Sequence, residues 1–429
     1  MIKKLLLLAL LCVPSLSMAE ENPAILDLAT AYQKATRNSP SLKEEQARLE
    51  ASAGEAQQAS AWLNPEFEFE MENFGGSGQF SGTDVAEYTY ALAQKLEIGG
   101  KRSARSDAAL KRLSAAQADY AVAERMLRQN VTTAYMTAVA AAQNLKLAEE
   151  QEELAQAVLN TVTKRVKAAR EPEIQQRKAE VAYATATLKR QQAAREARLT
   201  RTALATLWGD SALNESLQTD SYFTLVIPED YPFYELQLND TPQLQRYQAL
   251  VKAQKAEADF EKAQNVPDPT FRFGVKDFNE NGEQALIAGL SFPLPVFNQN
   301  GGNIRKALGE VAAIEQQEHQ ARLKLTQDLS ESWQTWQQSS QEAERLQASI
   351  IPSAKEAFRL AREGYDKGRF PYLDVLDAQR TLFEARAQYH DVLLRMHTAR
   401  AHVIAIAPNT KTTSQESIET KEQDNETTK

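Results

Sequence analysis

The amino-acid sequence predicts a mainly α protein with a small β part, built as an internal duplication. Three observations carry that reading. The order helix, strand pair, very long helix occurs twice, with the second strand pair about two hundred residues after the first. Few stretches alternate with period two, and nearly everything else is patterned as helix. The first long stretch, 103–169, holds no proline and no internal glycine.

The chain opens with Lys3 and Lys4, an apolar run from Leu5 to Val13, and Ser17-Met18-Ala19 before Glu20. Residues 1–19 therefore read as a secretory signal peptide, too short to span a bilayer as a helix. The one cysteine, Cys12, lies inside it after Leu11, where lipidation favours a small residue, so the mature chain is expected to lack disulfides and thiolate chemistry. Two lysines and no acids leave with the leader, taking the formal charge from −9 to −11 and arguing against a basic nucleic-acid groove. No later apolar run reaches eighteen residues, which leaves a soluble protein or a β-barrel.

The first repeat is expected over 20–209. Its first helix begins near Asn38-Ser39-Pro40 and leads to a hairpin at 65–96. From Glu66 to Glu72 acids alternate with Phe67, Phe69 and Met71; in the partner strand Tyr88, Tyr90 and Leu92 alternate with Thr89, Ala91 and Ala93. The second repeat, 241–408, carries a hairpin at 269–296, where Phe271, Phe273 and Val275 alternate with Arg272, Gly274 and Lys276. Aromatic residues on one face and charges on the other form the pattern of an outer-membrane barrel wall. Phe67, Phe69, Met71, Tyr88, Tyr90, Phe271 and Phe273 would face lipid, with Glu66, Glu68, Glu70, Arg272 and Lys276 toward the lumen. A half-buried hairpin packed on a helix would alternate in the same way. Four strands cannot close on themselves, so a barrel requires several chains.

After the first hairpin, 103–169 reads as a rod of roughly 100 Å at 1.5 Å per residue. Its apolar residues recur at spacings of three, four and seven, a narrow packing seam. The chain reverses at Arg170-Glu171-Pro172 into a returning helix, 172–208. A connector, 210–240, breaks the helical pattern with Pro228 and Pro232 and should pack outside the rods. The second rod, 303–364, should be bent or loosened at Pro352. It reverses at Gly364-Tyr365-Asp366-Lys367-Gly368-Arg369-Phe370-Pro371 into a returning helix, 371–407, and the polar tail 409–429 is expected to be disordered.

The stretch Gly364 to Gly368, followed by Tyr372-Leu373-Asp374-Val375-Leu376-Asp377-Ala378-Gln379-Arg380, resembles the periplasmic tip of the TolC family of outer-membrane efflux channels. Leu290-Ser291-Phe292-Pro293-Leu294-Pro295-Val296-Phe297-Asn298 with Gly301-Gly302 resembles the last strand of its heavy-metal branch, of the cobalt-zinc-cadmium type. The resemblance covers essentially the whole mature chain. It implies a homotrimer with a twelve-stranded barrel in the outer membrane and a twelve-helix tunnel in the periplasm. It further implies docking to a periplasmic adaptor (membrane fusion) protein and an inner-membrane, proton-driven RND pump, with no cofactor and no enzymatic activity. Arg170, Glu171, Pro172, Gly364, Gly368, Arg369, Phe370 and Pro371 would form the adaptor-docking tip. Where relatives often carry a basic residue two positions after the tip glycine, this chain has Phe370, with Arg369 just before it.

Asp374 and Asp377 share a helix face, and the resemblance makes them a carboxylate ring at the tunnel's narrow end; a solvated helix face would show the same pair. His390 and His397 lie two turns apart, about 10 Å, too far to share a metal ion. They, His319 and His402 are expected at the surface or in packing, and Trp333 and Trp336 in packing. No catalytic motif is present. The function expected is passive efflux of heavy-metal cations; the alternatives are a secreted coiled-coil structural or adhesive protein, and a channel of the same family for organic compounds.

Overall fold

A computed structural model describes residues 25–407. The expected signal peptide and polar tail lie outside them. A short strand β1 (Ile25–Leu26) precedes α1 (Leu28–Asn38), whose N-terminus is capped by Asp27 accepting from the Thr30 amide at 2.7 Å. Helix α2 (Pro40–Ala59) follows with proline in its first turn and is the first helix expected from sequence; α1, before it, was not expected. Strands β2 (Glu66–Glu72) and β3 (Glu87–Lys95) lead into α3 (Lys101–Lys167), a continuous helix of 67 residues. The chain reverses into α4 (Glu173–Thr206).

The connector contains β4 (Ser216–Leu217), paired in parallel with β1, and the short helix α5 (Tyr231–Glu235). The second copy comprises α6 (Pro242–Ala263), β5 (Thr270–Phe278), β6 (Glu283–Ser291), α7 (Gly301–Arg345), α8 (Ile351–Asp366) and α9 (Tyr372–Ile406). Between α7 and α8 the helix widens into a π-turn, Leu346–Ile350. Proline at 352 has no amide to donate and its ring crowds the carbonyl four residues back; the wider turn absorbs that conflict without breaking the rod.

The main core forms around mid-length of the rods, where the connector packs on α3, α7 and α9. Leu26, Val131, Tyr135, Leu204, Tyr222, Leu329, Trp336, Leu393 and Met396 are buried there. Polar side-chain ends here bind the backbone of the connector and of β1 paired with it, which have little regular structure to satisfy them. Tyr135 donates to the carbonyls of Leu26 and Gln218, each at 2.9 Å; Trp333 donates to Glu229 at 2.8 Å and Trp336 to Val226 at 2.6 Å. A smaller cluster of Val162, Ala179, Ala361, Tyr365, Tyr372 and Val375 closes the reversing ends.

The two buried histidines belong to the same latch. His397 Nε2 lies 2.9 Å from the Tyr222 carbonyl, His390 Nδ1 lies 2.8 Å from Asn144 Oδ1, and the Tyr222 hydroxyl donates to the His390 carbonyl at 2.6 Å. Burial, with the Arg386 guanidinium adding to it, lowers the His390 pKa to about 4, and burial also lowers that of His397. Both rings are therefore neutral when folded and protonate first in the unfolded chain. Their contribution is complete above the ordinary histidine pKa and is lost as pH falls below it, that of His390, about 3 kcal/mol, between about 6.5 and about 4. Melting temperature should accordingly drop between pH 7 and pH 4.5, and His390→Gln should flatten that slope; parallel slopes for the two proteins would contradict the assignment.

Candidate functional site

The four long strands form one antiparallel sheet in the order β2-β3-β5-β6. Register puts Phe67, Leu92, Phe273 and Ala288 in one row, and Phe69, Tyr90, Val275 and Leu286 in the next. These side chains share a face with Met71, Tyr88 and Phe271, and none of the described residues packs over it: Phe67 is 68% exposed, Phe273 62% and Leu286 88%. A contiguous apolar patch of this size implies an apolar environment rather than water.

The opposite face carries Glu66, Glu68, Glu70, Glu72, Arg272 and Lys276. Charges from β2 and β5 meet over the middle strand, where Thr89, Ala91 and Ala93 are small and buried. Arg272 pairs with Glu68 at 2.8 Å and Glu70 at 3.3 Å; Lys276 pairs with Glu72 at 2.6 Å and with Glu87. Such exposed pairs contribute about 0–1 kcal/mol each, so they order the charged face more than they stabilise it. Gly274 is needed here, because a Cβ would stand 2.4 Å from the Tyr90 carbonyl oxygen. Among the described residues, β2 and β6 each have one unpaired edge.

Where the sheet meets the helices, Gly99 and Gly100 both have positive φ, a conformation glycine adopts without cost. Lys101 then points inward to Asp268, with Nζ and Oδ1 2.8 Å apart and both side chains nearly fully buried. Asp268 also accepts from the Ile98 amide at 3.1 Å. This bond across the two copies was not foreseen from sequence; a lysine after two glycines and an aspartate between two prolines were its only traces.

At the far end the two reversals sit together. Arg165 of α3 stacks on Tyr365, 4.1 Å from the ring centroid, and donates to its carbonyl at 3.2 Å. Burial raises the Tyr365 pKa, with the Glu171 carboxylate of the other reversal adding to it. Arg170, Gly368, Arg369, Phe370 and Pro371 are exposed, as is Pro172, and Glu171 is half-buried. Gly364, expected on the docking surface, is instead buried beneath Phe370: a Cβ there would lie 2.0 Å from the ring. Its lack of a side chain leaves room for the Phe370 ring. Asp374 and Asp377 are both exposed near the start of α9. Asp377 is paired with Arg380 at 2.9 Å, whereas Asp374, in the first helical turn, makes no ion pair among the described residues.

His319 and His402 are exposed, and no group of three metal-ligating side chains converges among the described residues. A family model described as outer membrane efflux protein matches residues 31–210 and again 233–407. The chain belongs to that family. As a member of it, the chain is located in the outer membrane, and the twofold match follows the duplication in its elements. The cobalt-zinc-cadmium resistance protein CzcC of Cupriavidus metallidurans is 29% identical over 374 residues, covering 87% of this chain and 88% of that one. The nickel-cobalt-cadmium resistance protein NccC of Alcaligenes xylosoxydans xylosoxydans is 29% identical over 72% of this chain and 69% of its own. Among solved structures, CusC superposes with a TM-score of 0.75 over 89% of this chain and 92% of its own, at 18% identity. The CmeC outer membrane channel of Campylobacter jejuni gives 0.75 over 91% and 88%, at 16%. The fold of this chain is thus shared with both solved structures.

Proposed function

We propose that three copies of this chain form one outer-membrane channel that passively conducts heavy-metal cations out of the periplasm, as the outer component of a proton-driven tripartite system. The observation that carries this reading is the sheet. Its two open edges, uncovered apolar face and charged opposite face are satisfied together when three sheets close into a twelve-stranded barrel. On this reading the apolar face meets lipid, and Glu66, Glu68, Glu70, Arg272 and Lys276 line a wet lumen. The family is one of efflux proteins rather than enzymes, and the names of the relatives favour metal cations over organic compounds.

The chain then divides into two efflux repeats, 20–209 and 241–408, joined by an equatorial connector, 210–240. The exposed tip residues from Arg170 to Pro172 and from Gly368 to Pro371 form the surface for a periplasmic adaptor that links the channel to an inner-membrane RND pump. Asp374 and Asp377 form the constriction. Two unit charges about 8 Å apart interact by about 0.5 kcal/mol in bulk water and by more in a narrow site, so a carboxylate ring favours divalent cations.

A strain lacking this chain should lose tolerance to cobalt, zinc or cadmium salts and regain it with the wild-type gene; loss of tolerance to organic compounds alone would favour the second family reading. In planar bilayers, Asp374→Asn should weaken cation selectivity and divalent block more than Asp377→Asn, because Arg380 already offsets Asp377. Recordings of both variants identical to wild type would place the constriction elsewhere.

A further inference from the structure

On the charged face of the sheet, the two basic residues of β5 do not pair with the carboxylates of their own rows. Arg272 lies level with Glu66 across β3, and Lys276 lies level with Glu70. Both lean along the strands toward the β2–β3 loop instead. Arg272 reaches Glu68 at 2.8 Å and Glu70 at 3.3 Å, and Lys276 reaches Glu72 at 2.6 Å and also Glu87. To touch β2 their stems must cross the strand that lies between, and they can do so because the residues on that line are Thr89, Ala91 and Ala93, all nearly fully buried. Each base therefore stands between two carboxylates. At the ends of the strands no base intervenes: Glu66, next to the helices, and Glu283, next to the β5–β6 turn, make no ion pair among the described residues.

Two carboxylates able to turn toward one point make a place for a divalent cation, which takes oxygen ligands of this kind. In a passage for such ions a firm place is a fault, because conduction requires binding weak enough to release. A guanidinium or ammonium already at that point engages the same oxygens and repels a second cation. A unit positive charge about 5 Å away lowers the affinity for a divalent ion about tenfold even in bulk water. Since such exposed pairs add little to stability, their main consequence is where they put charge.

We infer that Arg272 and Lys276 are resident counter-ions of the barrel wall, each holding the place between two carboxylates where a divalent cation would otherwise lodge, so that the wall attracts cations without retaining them. Glu66 and Glu283, left free at the two ends of the strands, keep the passage negative. The inference rests on the reading that the charged face lines the lumen of a cation channel, and it adds two residues that set what the barrel lets through.

The test is equilibrium dialysis of the full-length protein in detergent against cadmium chloride, paired with cadmium block of the current in planar bilayers. Arg272→Gln should bind cadmium at the wall about tenfold more tightly than the wild type and be blocked at about tenfold lower concentration. Arg272→Lys, which keeps the charge, should behave as wild type. Adding Glu68→Gln and Glu70→Gln to Arg272→Gln should abolish the gain. The tip carboxylates are the same in every protein compared, so their contribution cancels. Melting identifies any variant that misfolds; if Arg272→Gln does, Lys276→Gln, with and without Glu72→Gln and Glu87→Gln, decides in the same way. Wild-type binding and block by Arg272→Gln, a gain that survives removal of the Glu68 and Glu70 charges, or an equal gain in Arg272→Lys would each overturn the inference. A wild type that conducts no cations would instead remove the channel reading, with the dialysis still deciding whether the two bases exclude divalent ions.

Discussion

Replacing Gly364 with alanine is expected to disrupt the tip while leaving the rest of the assembly folded. The new methyl group would lie 2.0 Å from the Phe370 ring, so either the ring leaves its seat or the last turn of α8 shifts. That turn is also closed by the Gly364 carbonyl, which accepts the Arg369 amide at 2.7 Å. Overpacking of this kind costs about 1–3 kcal/mol, enough to change the shape of an exposed reversal. Trypsin should then cut faster at Lys367 and Arg369, and efflux should fail. Adding Phe370→Ala removes the clash and should restore protease resistance. Gly368 differs: it has open space around it but a φ of +70, so Gly368→Ala should cost only about 1–2 kcal/mol of backbone strain. An alanine at 364 with wild-type cleavage would show that Phe370 does not hold the turn.

Asp268→Ala is expected to be the most destabilising single change at the junction of sheet and helices. It would leave the Lys101 ammonium buried without its partner, a loss of about 3–5 kcal/mol, and would also orphan the Ile98 amide. Because Lys101 belongs to the first copy and Asp268 to the second, the pair ties the two hairpins to one helical platform. Replacing both, as Lys101→Met with Asp268→Leu, should recover most of the loss, since an apolar pair fills the space without a stranded charge. Thermal melting of the three proteins checks this; a single variant as stable as wild type would mean that water reaches Lys101 once the carboxylate is gone.

Much of the fold was legible because its signals are local. Period two in Glu66–Glu72 assigned a face to every residue of that strand, and the register carries the same parity through Tyr88, Tyr90, Phe271 and Phe273. Pro352 announced a disturbance in the second rod, though not that it would appear as a π-turn over Leu346–Ile350. What could not be read depends on residues far apart in sequence. Tyr222 is an ordinary connector residue until its hydroxyl and carbonyl are found on α9, and Arg165 has no marker of its meeting with Tyr365. At the tip, the family motif located Gly364 but not the direction it faces, since burial beneath Phe370 is a property of the folded turn. Asp374 and Asp377 appeared equivalent by spacing, and only the contact with Arg380 separates them.

The central claim, that the sheet is one third of a closed barrel, is tested most directly by covalent links between strand edges. The described residues contain no cysteine, so a cysteine introduced by Glu68→Cys on β2 can be combined in turn with Ala285→Cys, Ile287→Cys or Gly289→Cys on β6. In outer membranes under oxidising conditions, one of these pairs should give a band at three times the mass of the chain on a denaturing gel, lost on reduction. A band at the monomer mass with β2 linked to β6 within one chain, or no linkage for any pair, would contradict a barrel shared by three copies.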